Sequence, residues 1–343
     1  MQTLGKILAG ICAALFVTTG VLALFLFNVE RKAFSAQTYK LAFERQQLYD
    51  KMPSVLATAL TNSIARNQNA DPFLKAVTQQ DWEKTVTLLI PPEELKTLTD
   101  TTLDTVFDYL NGKTDSVEIS LVPLKKHFVG EAGVQAVTQL LSAQPPCTAE
   151  QLFQLGMGLL SGDVGLCNPP VELMGVMTPL IESQIQGMTV AIPDNVTLVD
   201  RTLTNAPNDP RIQLNKVRGV MKVTLIFPLL FLFGLALLTA RSLSSWLKWW
   251  GVPFIITGAI SALIALLGSP VLSLLMQRVL QNRAPDFLQP VFLSTMQEAV
   301  GAVSQQILAP IVVEGLLLVV AGIVMILIVV YLAHREKAFA VTK

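Results

Sequence analysis

Charge is what this sequence has least of. Asp, Glu, Lys and Arg together make up 15% of its 343 residues, against about 25% in ordinary globular proteins. The deficit is local, because long stretches carry none of the four. A wholly soluble chain of this length would form two or three domains, and the charge-free stretches exclude that reading. Net charge is zero, and no Lys/Arg block resembles a polyanion-binding arm, so no nucleic-acid partner is expected. Chemistry-bearing motifs are missing as well. The sequence has no Gly-rich Lys-Ser/Thr phosphate loop, no His-Glu-x-x-His and no Gly-x-Ser-x-Gly nucleophile turn, hence no reaction and no cofactor to expect. Gly156-Met-Gly158 with Gly162 comes nearest to a phosphate loop, but no strand precedes it. His127, beside Lys125 and Lys126, reads as a solvated side chain, and Glu93-Glu94 as the acidic first turn of a helix.

What the sequence has in excess is apolar residues, 52% of the total. A membrane-spanning helix needs about 20 of them in succession to cross a hydrocarbon core of roughly 30 Å. Four segments qualify, at 7–27, within 210–240, at 252–269 and at 307–332. The first follows Lys6 and imitates a signal peptide. Its apolar run is longer than the 7–15 residues of a signal core and no small-x-small cleavage site follows, so it reads as an uncleaved anchor. Cys12 lies within it as an ordinary embedded residue. The spans leave a tail at 1–6, a large domain at 28–209, a short loop at 241–251, a helical loop at 270–306 and a tail at 333–343.

Orientation is read from Lys and Arg in the short loops. Lys6, Arg241, Lys248, Arg335, Lys337 and Lys343 share one side, while 270–306 carries only Arg278 and Arg283. Both termini are therefore expected in the cytoplasm, with 28–209 outside the plasma membrane, although Arg31, Lys32, Arg218 and Lys222 flank the spans on the outer face. Trp246, Trp249 and Trp250 anchor the third span at an interface. Cys147 and Cys167 each stand beside a proline pair, at the two edges of one helical segment. That arrangement suits a disulfide, and hence an oxidising compartment. Metal ligation is the rival reading; it would need partners that a domain with His127 alone scarcely offers.

The large domain reads as mainly helical α+β. The first span should continue as a helix to about Asp50, with Phe34, Leu41 and Leu48 at heptad spacing, until Pro53 breaks or restarts it. Asp71-Pro72 and Asp81 offer helix starts, and a helix from Pro170 to about Gln186 carries Leu173, Met174, Met177, Leu180, Ile181 and Ile185. Strands are expected at 117–121, 190–192 and 196–198. From Asn208-Asp209-Pro210 one helix should run into the second span and project outward, bend at Pro228, or both. The first two spans would then rise together as a stalk. Arg211, Arg218 and Lys222 share one face of that helix, where they would reach headgroups, anionic lipid or the acidic edge of a protein partner. Glu314 is the one acid among the spans. The eighteen apolar residues that follow it nearly suffice to cross, which places it at the outer interface or just within.

One span, a large outer domain and three further spans resemble the membrane subunits of the MacB/FtsX class of ABC systems, which transmit motion across a membrane. Those proteins grip an ATPase with a longer cytoplasmic segment than the ten residues from Arg241 to Trp250. Tyr49-Asp-Lys-Met-Pro53, Val117-Glu-Ile-Ser-Leu121 and Ile192-Pro-Asp-Asn-Val196 resemble stretches of bacterial four-span membrane proteins with a large outer domain, a resemblance that brings no activity with it. The expectation is a non-enzymatic multi-pass envelope protein whose outer domain binds a partner, or a further copy of itself, or organises an assembly. The alternative is an accessory, motion-transmitting subunit of a transport complex.

Overall fold

A computed structural model describes residues 2–70, 72–153, 167–200, 210–239, 242–281 and 291–341. It is mostly helical and divides into two compact units. The first holds Met1–Ala42, Ala206–Met276 and Val300–Lys343; the second holds Phe43–Asn205 and Gln277–Ala299.

In the first unit, α1 (Gln2–Ala33), α10 (Pro210–Val223), α11 (Ile226–Thr239) and most of α12 (Leu243–Gln281) and α13 (Val291–Val341) supply the helices. Four helical stretches are long and apolar enough to cross a membrane: Gly5–Ala33, Arg211–Thr239, Leu243–Leu275 and Phe292–Arg335. Their burial pattern inverts that of a soluble bundle. Leu22, Leu230, Leu263 and Leu317 are more than half exposed, while Asn28, Thr257 and Ser261 are at most 1% exposed. This is what hydrocarbon selects, since lipid solvates leucine while polar side chains turn toward neighbouring helices; the Asn28 amide is hydrogen-bonded there, whereas the buried Thr257 and Ser261 hydroxyls have no hydrogen-bond partner among the described residues.

Between helices in lipid, packing rests on close van der Waals approach rather than on expulsion of water. The α12–α13 pair is built on that. Gly251 and Gly258 on α12 face Gly322 and Gly315 on α13, seven residues apart on both helices and in opposite order. A Cβ on Gly258 would lie 2.3 Å from the Gly315 carbonyl oxygen, and one on Gly322 would lie 2.6 Å from that of Gly251. Only glycine lets the two backbones touch there. Helix α1 packs along α11 and also meets α12, where Phe16 stacks on Phe254 with ring centroids 5.5 Å apart and Gly20 abuts Thr257.

Prolines set the breaks differently from the expectation. The stretch from Pro210 is two helices rather than one, parted at Thr224–Leu225. A helical proline clashes with the carbonyl four residues earlier, and for Pro228 that residue is Thr224. Placing the break there leaves Pro228 in the first turn of α11, where its missing N–H costs nothing. Likewise α1 ends at Ala33 instead of running on to Asp50. Tyr39 Oη donates to the Ala33 carbonyl at 3.0 Å, and α2 (Ala36–Arg45) restarts the chain. Pro53 breaks nothing, because α3 (Leu48–Arg66) begins five residues before it.

The second unit also contains α4 (Pro72–Ala76), α5 (Gln79–Leu89), α6 (Pro92–Leu110), β1 (Ser116–Ser120), α7 (Val122–Val129), α8 (Glu131–Ser142), α9 (Val171–Val190) and β2 (Asn195–Asp200). Asp71 lies outside the described residues. Helix α5 starts two residues before Asp81: Thr78 caps it, accepting the Asp81 N–H at 3.2 Å while its hydroxyl donates to Asp81 Oδ2 at 2.6 Å, a reciprocal cap. Glu93 and Glu94 do occupy the first turn of α6. Helices α3, α5 and α8 pack in succession, with α7 and α9 against α8. Leu141, Met177 and Ile181 form a buried cluster between α8 and α9. Gly133 starts α8 so close to α7 that a Cβ would lie 1.9 Å from the Phe128 carbonyl oxygen.

β1 and β2 form a two-stranded antiparallel sheet with a bulge between Val117 and Glu118. The strand expected at 190–192 is absent. Val190 ends α9, and the N–H groups of Ala191 and Ile192 bond back to Met188 and Thr189, so the ladder has no donors there. Cys147 and Cys167 are joined in a disulfide with Cα atoms 5.0 Å apart. Beside it, Cys147 N–H donates to the Asn168 carbonyl and Asn168 N–H to that of Pro145. Gly156, Gly158 and Gly162 lie outside the described residues.

The glycine seam yields a paired test. Gly258→Val should lower the thermal midpoint of the detergent-solubilised protein by several degrees, because a side chain there meets backbone rather than a movable side chain. Gly234→Ala on α11, where a Cβ meets nothing within 4 Å, should leave the midpoint unchanged or raise it, since alanine outranks glycine in a helix by about 1 kcal/mol.

Candidate functional site

Asn28, Glu30, Arg218 and Glu314 of the first unit meet at one end of α1, where its apolar run stops. Asn28 and Glu30, two residues apart on a helix, point to nearly opposite sides. Asn28 is 1% exposed; its Nδ2 donates to the Leu24 carbonyl at 2.9 Å and to Glu314 Oε2 at 2.7 Å. Helices α1 and α13 therefore meet through an amide and a carboxylate. From Lys6 to Asn28, and again from Glu314 to Arg335, the separations correspond to about 33 and 31 Å of helix. Each matches a hydrocarbon core of roughly 30 Å, and the Asn28–Glu314 bond puts the two ends at one level.

On the other side of α1, Glu30 faces α10. Its Oε1 accepts from Arg218 Nη2 at 3.0 Å and from Nε at 3.3 Å, and Lys222 Nζ lies 3.4 Å away. The guanidinium also lies over the Phe34 ring, 4.8 Å from its centroid, within cation–π range. Side-chain exposure ranks the three charges: 9% for Glu30 and 15% for Arg218, but 61% for Lys222. Arg218 is thus committed inside the chain, whereas Lys222 still presents most of its length outward. Arg211, the third member of the stripe, is 5% exposed.

Reading the sequence did not single out Glu30, because it sits among Arg31 and Lys32 and looks like one more flanking charge. The signal was present, in that Glu30 and Asn28 are the first polar residues after an unbroken apolar run. His127 is not the solvated side chain expected. Its Nε2 lies 2.9 Å from the Leu88 carbonyl oxygen and ties α7 to α5.

A second candidate lies within the second unit. Helices α5, α7, α8 and α9 enclose a cavity of about 270 Å³, bounded by Leu89, Phe128, Val137, Leu140, Ile185 and Met188 among others, and its accessible wall is entirely carbon. Met188 is 73% exposed and Val190 82%, so the apolar surface continues outward along the end of α9. Among the described residues no three His, Cys, Asp or Glu side chains group as metal ligands would.

The Glu30 node gives a graded expectation. Glu30→Gln should destabilise the bundle by about 3 kcal/mol, because it removes the carboxylate charge that faces a largely buried guanidinium. Lys222→Gln should cost under about 1 kcal/mol, as expected of an exposed partner. A double-mutant cycle combining Glu30→Leu with Arg218→Met, followed by unfolding in detergent, should recover most of the larger loss.

No family model, curated protein or solved structure matches the chain.

Proposed function

We propose that this chain is a non-enzymatic envelope protein of the plasma membrane, with both termini in the cytoplasm and residues 28–209 outside, and that the outer domain binds a protein partner by an apolar anchor. The observation that carries this reading is the carbon-walled cavity bounded by Phe128, Val137, Leu140 and Ile185. Acid–base or nucleophilic chemistry needs a polar group facing the bound molecule, whereas a carbon wall can recognise only shape and apolar surface. At about 270 Å³ the cavity falls just below the roughly 300–1,000 Å³ of drug-sized ligand sites. It suits one or two large side chains of a docking segment, the kind of buried anchor on which protein interfaces depend. Orientation is supported by the crowding of Lys and Arg on one side of the spans and by the Cys147–Cys167 disulfide, which persists in oxidising compartments.

Two measurements test this. A photo-crosslinking residue at Val190 in intact cells should give a discrete protein adduct that Met188→Glu abolishes. The same residue at Lys113, an exposed position with 67% side-chain exposure, should give none, and equal adducts at both positions would refute the apolar site. In a Cys12→Ala background, Lys113→Cys should react with a membrane-impermeant maleimide in intact cells, and Ser242→Cys only after permeabilisation. The reverse pattern would overturn the orientation.

A further inference from the structure

At the end of α1 remote from Glu30, a cavity of about 260 Å³ opens between Gly5, Lys6 and Ala9 on α1, Leu238 and Thr239 on α11, and Ser245 and Trp249 on α12. Its chemistry is one-sided. Lys6 brings an ammonium, Ser245 a hydroxyl and Trp249 an indole N–H, all donors, and no carboxylate lines the cavity. Among the described residues Lys6 enters no ion pair. The deeper wall is apolar, with Ala9 at 2% exposure and Leu238 beside it. Thr239 is 6% exposed and spends its proton on the Leu235 carbonyl at 2.7 Å, which leaves its oxygen free only to accept.

The depth of the cavity is fixed by sequence. Lys6 is the last charge before the apolar run of α1, and Trp246, Trp249 and Trp250 form the aromatic belt of α12. Trp246 and Trp250 lie tilted against each other with ring centroids 4.5 Å apart. Such a site is level with lipid headgroups, and basic pockets between membrane helices at this level select anionic ones. We propose that this cavity binds a phosphate-bearing group, with the phosphate held by Lys6, Ser245 and Trp249, and that its source is an anionic phospholipid. The glycerol hydroxyls of the headgroup meet the Thr239 oxygen, and the acyl chains leave along Ala9 and Leu238. A free phosphate would satisfy the donors but would leave the apolar wall unmatched.

The full-length protein in nanodiscs of palmitoyl-oleoyl phosphatidylcholine, titrated with the phosphatidylglycerol analogue and released for native mass spectrometry, tests this. Wild type should retain phosphatidylglycerol over phosphatidylcholine, and Lys6→Gln should weaken retention roughly five- to tenfold. Trp249→Phe should weaken it in the same direction, Lys6→Arg should restore it, and Lys222→Gln, on the Glu30 node, should leave it unchanged. Excess inorganic phosphate added during the titration separates the sources. Retention that survives phosphate marks the lipid. Retention abolished by phosphate supports the donor set and assigns it to the free anion. Equal phosphatidylglycerol retention by wild type, Lys6→Gln and Trp249→Phe, with unchanged thermal midpoints in phosphatidylcholine discs, would overturn the proposal.

Discussion

A carboxylate or amide that leaves water for hydrocarbon must find its partner within the protein, and α1 is where this chain meets that demand. Asn28 turns one way and engages Glu314 on α13; Glu30 turns the other way and engages Arg218 on α10. Both pairs sit where the apolar run of α1 ends, so one helix carries the polar joints to its neighbours on both sides. Elsewhere in the unit, helix contact needs no charge. Phe16 stacks on Phe254, and glycine carries the α12–α13 contact. The division follows from dielectric. Ion pairs belong near the edge, where water still relieves part of their desolvation, and the mid-membrane contacts are left to packing.

How much of this was legible in the sequence depends on the range of the signal. The four membrane-length helices could be read directly, because twenty apolar residues in succession have few other uses. The disulfide was legible because Cys147 and Cys167 each follow or precede proline pairs that hold the chain in a turn. What was lost were features decided by the partner's position. Glu30 looks like a flanking charge until α10 brings Arg218 against it. His127 looks solvated until the Leu88 carbonyl arrives from α5. Residues 190–192 have the alternation of a strand, but their N–H groups were already spent on closing α9. The break at Thr224 could have been placed by the rule that a proline disturbs the residue four before it; the sequence reading put the bend at the proline itself.

The two cavities described above differ in chemistry. The one in the second unit is walled by carbon and can discriminate only by shape. The one at the Lys6 end of the bundle offers donors on one side and an apolar face on the other, the pattern of an amphiphile.

The glycine seam has a mechanical consequence. Where backbones touch at two points seven residues apart, sliding or rotating one helix on the other would drive a carbonyl into a Cα, so α12 and α13 behave as a single strut. Compliance in the bundle must then reside elsewhere. The interruption at Thr224–Leu225, where the helical ladder gives way to a turn, separates α10 from α11. Arg218 on α10 is held to Glu30 on α1, so the ion pair ties the helix on the near side of that interruption to the first span.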